Sequence, residues 1–230
     1  MRIFFGVVIG LVLAIVIAGA AAHHAFGGFK DIGGRDKSQD ISQTFDLADF
    51  DRIEVGGVFE IDVNVGGDFS VKISGAPDEM AQLEATVTDG VLSLDQDHVR
   101  IGKNRWRDTG LTAVISMPAL NGLSVSGVAD GEVDGIKSEA FQVDLSGVGD
   151  LDLSGSCDQL DAQVSGVGDL DASELECRIV SVDVSGVGAA SVYASESVDA
   201  SVNGIGSINI YGSPAQVDKS TTFLSSISVK

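Results

Sequence analysis

Ser146-Gly147-Val148-Gly149, Ser165-Gly166-Val167-Gly168, Ser185-Gly186-Val187-Gly188 and Asn203-Gly204-Ile205-Gly206 are near-copies of one phrase, preceded by a looser copy at Ser126-Gly127-Val128-Ala129. Their starts lie 20, 19, 20 and 18 residues apart. That period is too short for a helix pair and suits one turn of a β-solenoid, in which a coil buries its apolar face only by stacking on the next. The predicted fold class is all-β: a parallel β-solenoid or β-helix-like repeat of about 19–20 residues per coil.

Aligning the copies on their Ser or Asn anchor exposes apolar columns. Three residues before the anchor stand Leu123, Val143, Ala162, Val182 and Ala200; one before it stand Val125, Leu145, Val164, Val184 and Val202. Two after it come Val128, Val148, Val167, Val187 and Ile205. Five and seven after it come Leu151 with Leu153, Leu170 with Ala172, Ala190 with Val192, and Ile208 with Ile210. The alternation is that of strands, and these columns are expected to stack inside, with the intervening Asp, Ser, Gln and Asn on the wet face. At about 4.8 Å per coil, five coils would rise roughly 20–25 Å. The paired glycines are expected at corners needing positive φ or close backbone approach.

These repeats, with Phe50-Asp51-Arg52-Ile53-Glu54-Val55, Val58-Phe59-Glu60-Ile61-Asp62-Val63, Met117-Pro118-Ala119-Leu120 and the closing Tyr211-Gly212-Ser213-Pro214, resemble the head GIN domain of auto-transporter adhesins. The resemblance spans most of the chain. It implies an exported, all-β, solenoid-like domain of bacterial envelopes with an adhesive role, and it carries over no catalytic residues. One departure is visible: Leu224-Ser225-Ser226-Ile227 stands where a last Ser-Gly-x-Gly is expected.

Between Thr44 and Leu120 the pattern is β-rich but out of step with the later repeat. Strands are predicted at Arg52–Val55, Phe59–Val65, Phe69–Ser74, Glu84–Thr88, Val91–Asp95 and Leu111–Met117, with a short helix from Pro77 to Leu83. Thr88-Asp89-Gly90-Val91 is a two-residue hairpin signal. This half (44–120) is expected to begin the same architecture and cap the open end of the regular coils (121–230), within one domain spanning 44–230.

The N-terminus bears on compartment. Ile3 to Ala22 carry no charge, and Ala20-Ala21-Ala22 offers the small residues a signal peptidase needs. Residues 1–22 are expected as a signal peptide or, at a length that spans a bilayer, an N-terminal membrane anchor. No cysteine follows the run, which argues against a lipoprotein anchor. Residues 23–43 turn to Gly, Asp, Ser and Lys and read as a flexible tether. The expected location is exported: periplasm, outer-membrane surface or secreted.

Charge excludes some partners. Fourteen basic against 34 acidic residues give a net charge of -20, which repels nucleic acid and anionic membrane surfaces. The acids are also ordered: Asp130, Asp150 and Asp169 stand four after their anchors, and Glu132, Asp152 and Asp171 six after. Vertical neighbours about 5 Å apart repel one another unless solvent, a raised pKa or a cation relieves them. Two readings follow, a solvated acidic face or a Ca²⁺ site with oxygen-only ligands.

Other columns offer candidates of a different kind. Cys157 and Cys177 each lie eight before their anchors, with Ser138 and Ser195 in the same slot of the flanking coils, so they are expected to stack as a disulfide or as two thiols. Tyr193 and Tyr211 lie eight after theirs and are expected to face outward together, either as a cross-strand pair or as a platform for a sugar or an apolar partner. A basic island holds Arg100, Lys103, Arg105, Trp106 and Arg107, with His98 nearby. Trp106 between two arginines is either an anchor for an acidic glycan or protein, or packing material.

Catalysis is poorly provided for. From Leu123 to Ala215 there are 16 acidic residues and only Lys137 and Arg178 as bases, which suits neither lyase chemistry on acidic polysaccharide nor an assignable hydrolase pair. Only His23, His24 and His98 occur in the chain, so a histidine triad or multi-histidine metal site is not available. The function expected from sequence is a non-catalytic binding module of the bacterial envelope, taking a surface glycan or protein as partner. A carbohydrate-active β-helix enzyme and an inert structural spacer are the alternatives.

Overall fold

The computed structural model describes residues 40–96 and 110–230. The expectations for the signal or anchor segment and for the basic island (His98, Arg100, Lys103, Arg105, Trp106, Arg107) fall outside those residues. Fifteen strands and one short helix follow in the order β1 (Ile41–Phe45), β2 (Arg52–Val55), β3 (Val58–Val65), β4 (Ser70–Gly75), α1 (Pro77–Met80), β5 (Leu83–Thr88), β6 (Val91–Gln96), β7 (Leu111–Met117), β8 (Gly122–Val125), β9 (Val128–Leu145), β10 (Leu151–Val164), β11 (Val167–Val184), β12 (Val187–Val202), β13 (Ile205–Tyr211), β14 (Gln216–Thr221) and β15 (Ser225–Val229). β1 begins inside the segment expected as tether, and α1 stops three residues short of Leu83.

The predicted parallel solenoid is present, with about five turns. β9, β10, β11 and β12 are long strands that bend at each corner and pair in parallel with the equivalent stretch one coil away, as in Leu151 with Leu170 and Val164 with Val184. One sheet face runs β6-β2-β8 into the second halves of β9 to β12 and then β14. The other runs β7-β3 into the first halves of β9 to β12 and then β13 and β15. The N-terminal strands are thus coils in register with the rest, although their sequence spacing differs. β5 and β4-β1 finish that end as antiparallel additions. The β5–β6 turn holds Asp89 and Gly90 at φ 50° and 81°, the paired positive values of a two-residue hairpin.

The columns at three and one before the anchor, and at five and seven after it, are buried, and no polar or charged side chain among the described residues is. Each such Val or Leu contributes on the order of 1.5–3 kcal/mol. The column two after the anchor corrects the sequence reading. Val128, Val148, Val167 and Val187 are 46, 48, 51 and 44 % exposed. Parity is the reason: positions five and seven after the anchor are odd, so an even position points the other way, and the inward slot at plus three holds Ala129, Gly149, Gly168, Gly188 and Gly206.

The corners have a repeated hydrogen-bond pattern. Ser165 N–H and Gly166 N–H both donate to Leu145 O (2.9 and 3.1 Å), and Val167 N–H donates to Gly147 O (3.0 Å); the neighbouring coils repeat it. The first glycine of each pair is required by contact rather than by φ. A Cβ on Gly147, Gly166, Gly186 or Gly204 would overlap the carbonyl oxygen of Gly127, Gly147, Gly166 or Gly186 respectively. The second glycine is under the same contact, since a Cβ on Gly168 would overlap the carbonyl oxygen of Gly149, and at Gly149 and Gly168 φ is also positive, 146° and 153°.

The last corner lies two residues earlier than the sequence suggested. β15 pairs Gly206 with Ser225 and Ile208 with Ile227, so Thr222-Phe223-Leu224-Ser225 occupies the corner slot. Thr222 N–H reaches Val202 O (3.2 Å) as an anchor does, and Phe223 and Leu224 project with 100 and 60 % exposure.

Cys157 and Cys177 form a disulfide between β10 and β11, with Cα atoms 4.5 Å apart. Cys157 pairs with Ser138, but the register partner of Cys177 in β12 is Ala194, not the Ser195 expected from spacing, because β12 carries one extra residue between Ala194 and Ser197 where β11 steps from Cys177 to Ile179.

Candidate functional site

Positions two, four, six and eight after each anchor face outward, so one exposed sheet surface carries, in order, the valine column, the Asp130 column, the Glu132 column and a fourth column. That fourth column, eight after the anchor, reads Asp134, Ser154, Ser173, Tyr193 and Tyr211. Glu132, Asp152 and Asp171 are direct register partners on β9, β10 and β11. Together with Asp134, Ser154, Ser173 and Glu174 they line a cleft of about 290 Å³ floored by Leu153. The far wall exists because β11 bulges at Ser173, Glu174 and Leu175: Leu175 turns inward to the core and pushes Glu174 outward.

The two acidic columns do different things. Asp150 N–H donates to Asp130 Oδ1 (3.3 Å), Asp169 N–H to Asp150 Oδ1 (3.0 Å) and Ala189 N–H to Asp169 Oδ1 (2.7 Å). Each carboxylate of this column therefore takes a backbone donor of the next coil that the glycine corner leaves out of the strand ladder. These backbone donors relieve the mutual repulsion of that column. Among the described residues no group of three or more His, Cys, Asp or Glu converges as a metal site. In the second column, Ser173 donates through N–H and Oγ to Asp171 Oδ1 (2.9 and 2.6 Å), and Ser154 Oγ donates to Asp134 Oδ1 (2.6 Å). Asp152 has no such relief. Desolvation in the cleft, then the charges of Asp171, Asp150 and Glu174, push its carboxyl above the usual range.

That shift fixes the sign of a pH effect. A carboxyl with a raised pKa in the folded state contributes stability that is complete below the unfolded pKa and is lost as pH rises through the folded value. Asp152→Asn is expected to stabilise the protein at about pH 7 and to leave it unchanged at about pH 3. Urea midpoints of both proteins at the two pH values test this; an Asn variant less stable at neutral pH would show that the carboxylate is held by favourable contacts instead.

Tyr193 and Tyr211 are register partners and half-buried; Glu176 of β11 stands opposite Tyr193, and Ser191, two residues before Tyr193, stands opposite Asp171. The structure thus brings the tyrosine pair and the second carboxylate column onto one outward surface. On the other side of the coil Arg178 holds Glu196 through Nε and Nη2 (2.9 and 3.1 Å) and lies 3.5 Å from Asp158. Hydrogen bonding to Arg178 holds the Glu196 carboxyl below its ordinary value. The bulge that builds the cleft has no signature of its own in the sequence. Only the extra residue before Cys177, seen on alignment with the next coil, hints at it.

Comparison with known proteins agrees with this architecture. The family model described as "Putative auto-transporter adhesin, head GIN domain" matches residues 49–214. A crystal structure of a putative adhesin from Bacteroides fragilis is 27 % identical, covers 86 % of this chain and 100 % of its own, and superposes with a TM-score of 0.71. A putative adhesin from Parabacteroides merdae, 13 % identical, shares the fold with a TM-score of 0.53 over 84 % of this chain and 97 % of its own. No curated protein matches the chain.

Proposed function

The chain belongs to the head GIN family of auto-transporter adhesins, and from that premise we propose that it is an exported, non-catalytic module of the cell envelope that binds surface molecules. The observation that carries this reading is the division of labour across the coil. Among the described residues every buried side chain of the core is apolar, and the carboxylate columns and the tyrosine pair share one long, regular outward sheet face. A row of carboxylates beside two tyrosines accepts hydrogen bonds from hydroxyls and offers rings to a sugar face or an apolar side chain. The disulfide supports export, since such bonds persist in oxidising compartments. Among the described residues no helix is long and apolar enough to cross a membrane.

The test is binding of the purified protein to an array of bacterial-envelope and host glycans and to fixed cells, with Tyr193→Ala and Trp106→Ala alongside. Saturable binding weakened in one variant is the expected result. An absence of binding to every glycan and every cell surface would turn the reading toward an inert spacer.

A further inference from the structure

We infer that the outward valine column is a docking rib for a basic amphipathic helix of a partner protein. The inference rests on the adhesin-like reading and names a partner class for one edge of the same face. Val128, Val148, Val167 and Val187 stand in register on successive coils and are about half exposed, Ile205 continues the line half-buried, and Leu224 and Phe223 end it, 60 and 100 % exposed. Corner packing cannot explain the choice of valine, because the inward slot beside it is filled by alanine or glycine and the valine side chain faces solvent. A continuous exposed apolar strip of this length marks an interaction surface when it is rimmed by polar groups.

The rim decides the partner. On one side run Asp130, Asp150 and Asp169, then Glu132, Asp152 and Asp171; on the other lie Asp144 and Asp183, two residues before their anchors. No lysine or arginine occurs in these columns, and the coil's Arg178 is engaged with Glu196 and Asp158. The matching surface is an apolar stripe flanked by Lys or Arg. A second copy would oppose acid to acid at a net charge of -20 each, and an anionic bilayer is repelled in the same way. For a glycan the strip offers one aromatic ring, Phe223 at its end, and aliphatic side chains elsewhere.

Spacing favours a helix over a strand. Rungs recur at about 4.8 Å, close to the 5.4 Å pitch that separates successive apolar residues on one helix stripe and far from the 6.6–6.8 Å between same-side residues of a strand. Four to six rungs, roughly 15–25 Å, accept about three to four helical turns.

The probe is a labelled 18-residue peptide of Leu and Lys in helical amphipathic order, titrated with the full chain by fluorescence anisotropy. Controls are the same residues in scrambled order and a version with Glu for Lys. Saturable binding is expected for the amphipathic peptide alone, with at least about tenfold weaker binding of both controls. Val148→Ser/Val167→Ser is expected to lose about tenfold while keeping its melting temperature, and Val128→Ser/Val187→Ser provides the same readout should the first pair fold poorly. Equal binding of the scrambled peptide, an affinity unmoved by either double substitution, or no binding would each overturn the rib. Peptide binding that fails while glycan or cell binding persists would overturn the rib and leave the adhesin reading intact.

Discussion

Gly166→Ala is expected to destabilise the protein by on the order of 3–5 kcal/mol, the range of overpacking and lost buried hydrogen bonds combined. The added methyl would overlap the carbonyl oxygen of Gly147, which is the acceptor for Val167 N–H at 3.0 Å. Moving that carbonyl breaks the bond, and moving the corner outward separates two coils whose strands are paired on both sides of it. Neither neighbour can yield, because Gly186 sits on Gly166 by the same contact. Val167→Ala serves as the control, since its side chain already faces solvent, and it is expected to stay within about 0.5 kcal/mol of the parent. Chemical denaturation followed by circular dichroism measures both. A Gly166→Ala midpoint indistinguishable from the parent would show that the corner accommodates a methyl group and contradict this account.

The second large effect is expected from the disulfide. Cys157 and Cys177 are 20 residues apart, a loop whose closure in the unfolded chain is worth about 3 kcal/mol. Cys157→Ala/Cys177→Ala should lower stability by roughly that amount, with reductant giving the wild type a similar loss. Both cysteines are buried, at 7 and 1 % exposure, so alanine rather than serine keeps a hydroxyl out of the core. Because a solenoid's stability is a sum over neighbouring interfaces, hydrogen exchange should quicken first at the β10–β11 boundary. Alkylation of two free thiols in the untreated protein, or identical urea midpoints with and without reductant, would contradict this account.

Repetition is what made the fold legible. A defect in any one copy of Ser-Gly-Val-Gly still leaves the period, and buried columns such as Val125 to Val202 read directly from it. Position within the coil was less legible. Val148 looks like a core residue by hydropathy alone, and only counting parity against Leu151 and Leu153 turns it outward. The partners of the Asp130 column were not legible, because sequence shows charges but not the backbone N–H groups that the corners leave without strand partners. The cleft depended on bulges in β9 and β11 beside it, and local insertions of this kind break the repeat instead of showing in it. Thr222 was passed over as an anchor because its coil lacks both glycines, although its distance from Asn203 keeps the period.

The placing of β2 between β6 and β8 has a consequence for the order of assembly. Asn121 donates to Asp51 through its backbone (2.7 Å) and its side chain (2.8 Å), a contact spanning 70 residues, whereas Asp150 meets Asp130 across 20. Closing the longer loop costs about 1 kcal/mol more, and it must wait until the distant partner has been made. A chain delivered N-terminus first therefore presents β2 and β3 before the strands that flank them on either side exist. The earliest strands to be made are among the last to find their neighbours, and the later, short-range coils are the surface on which they settle.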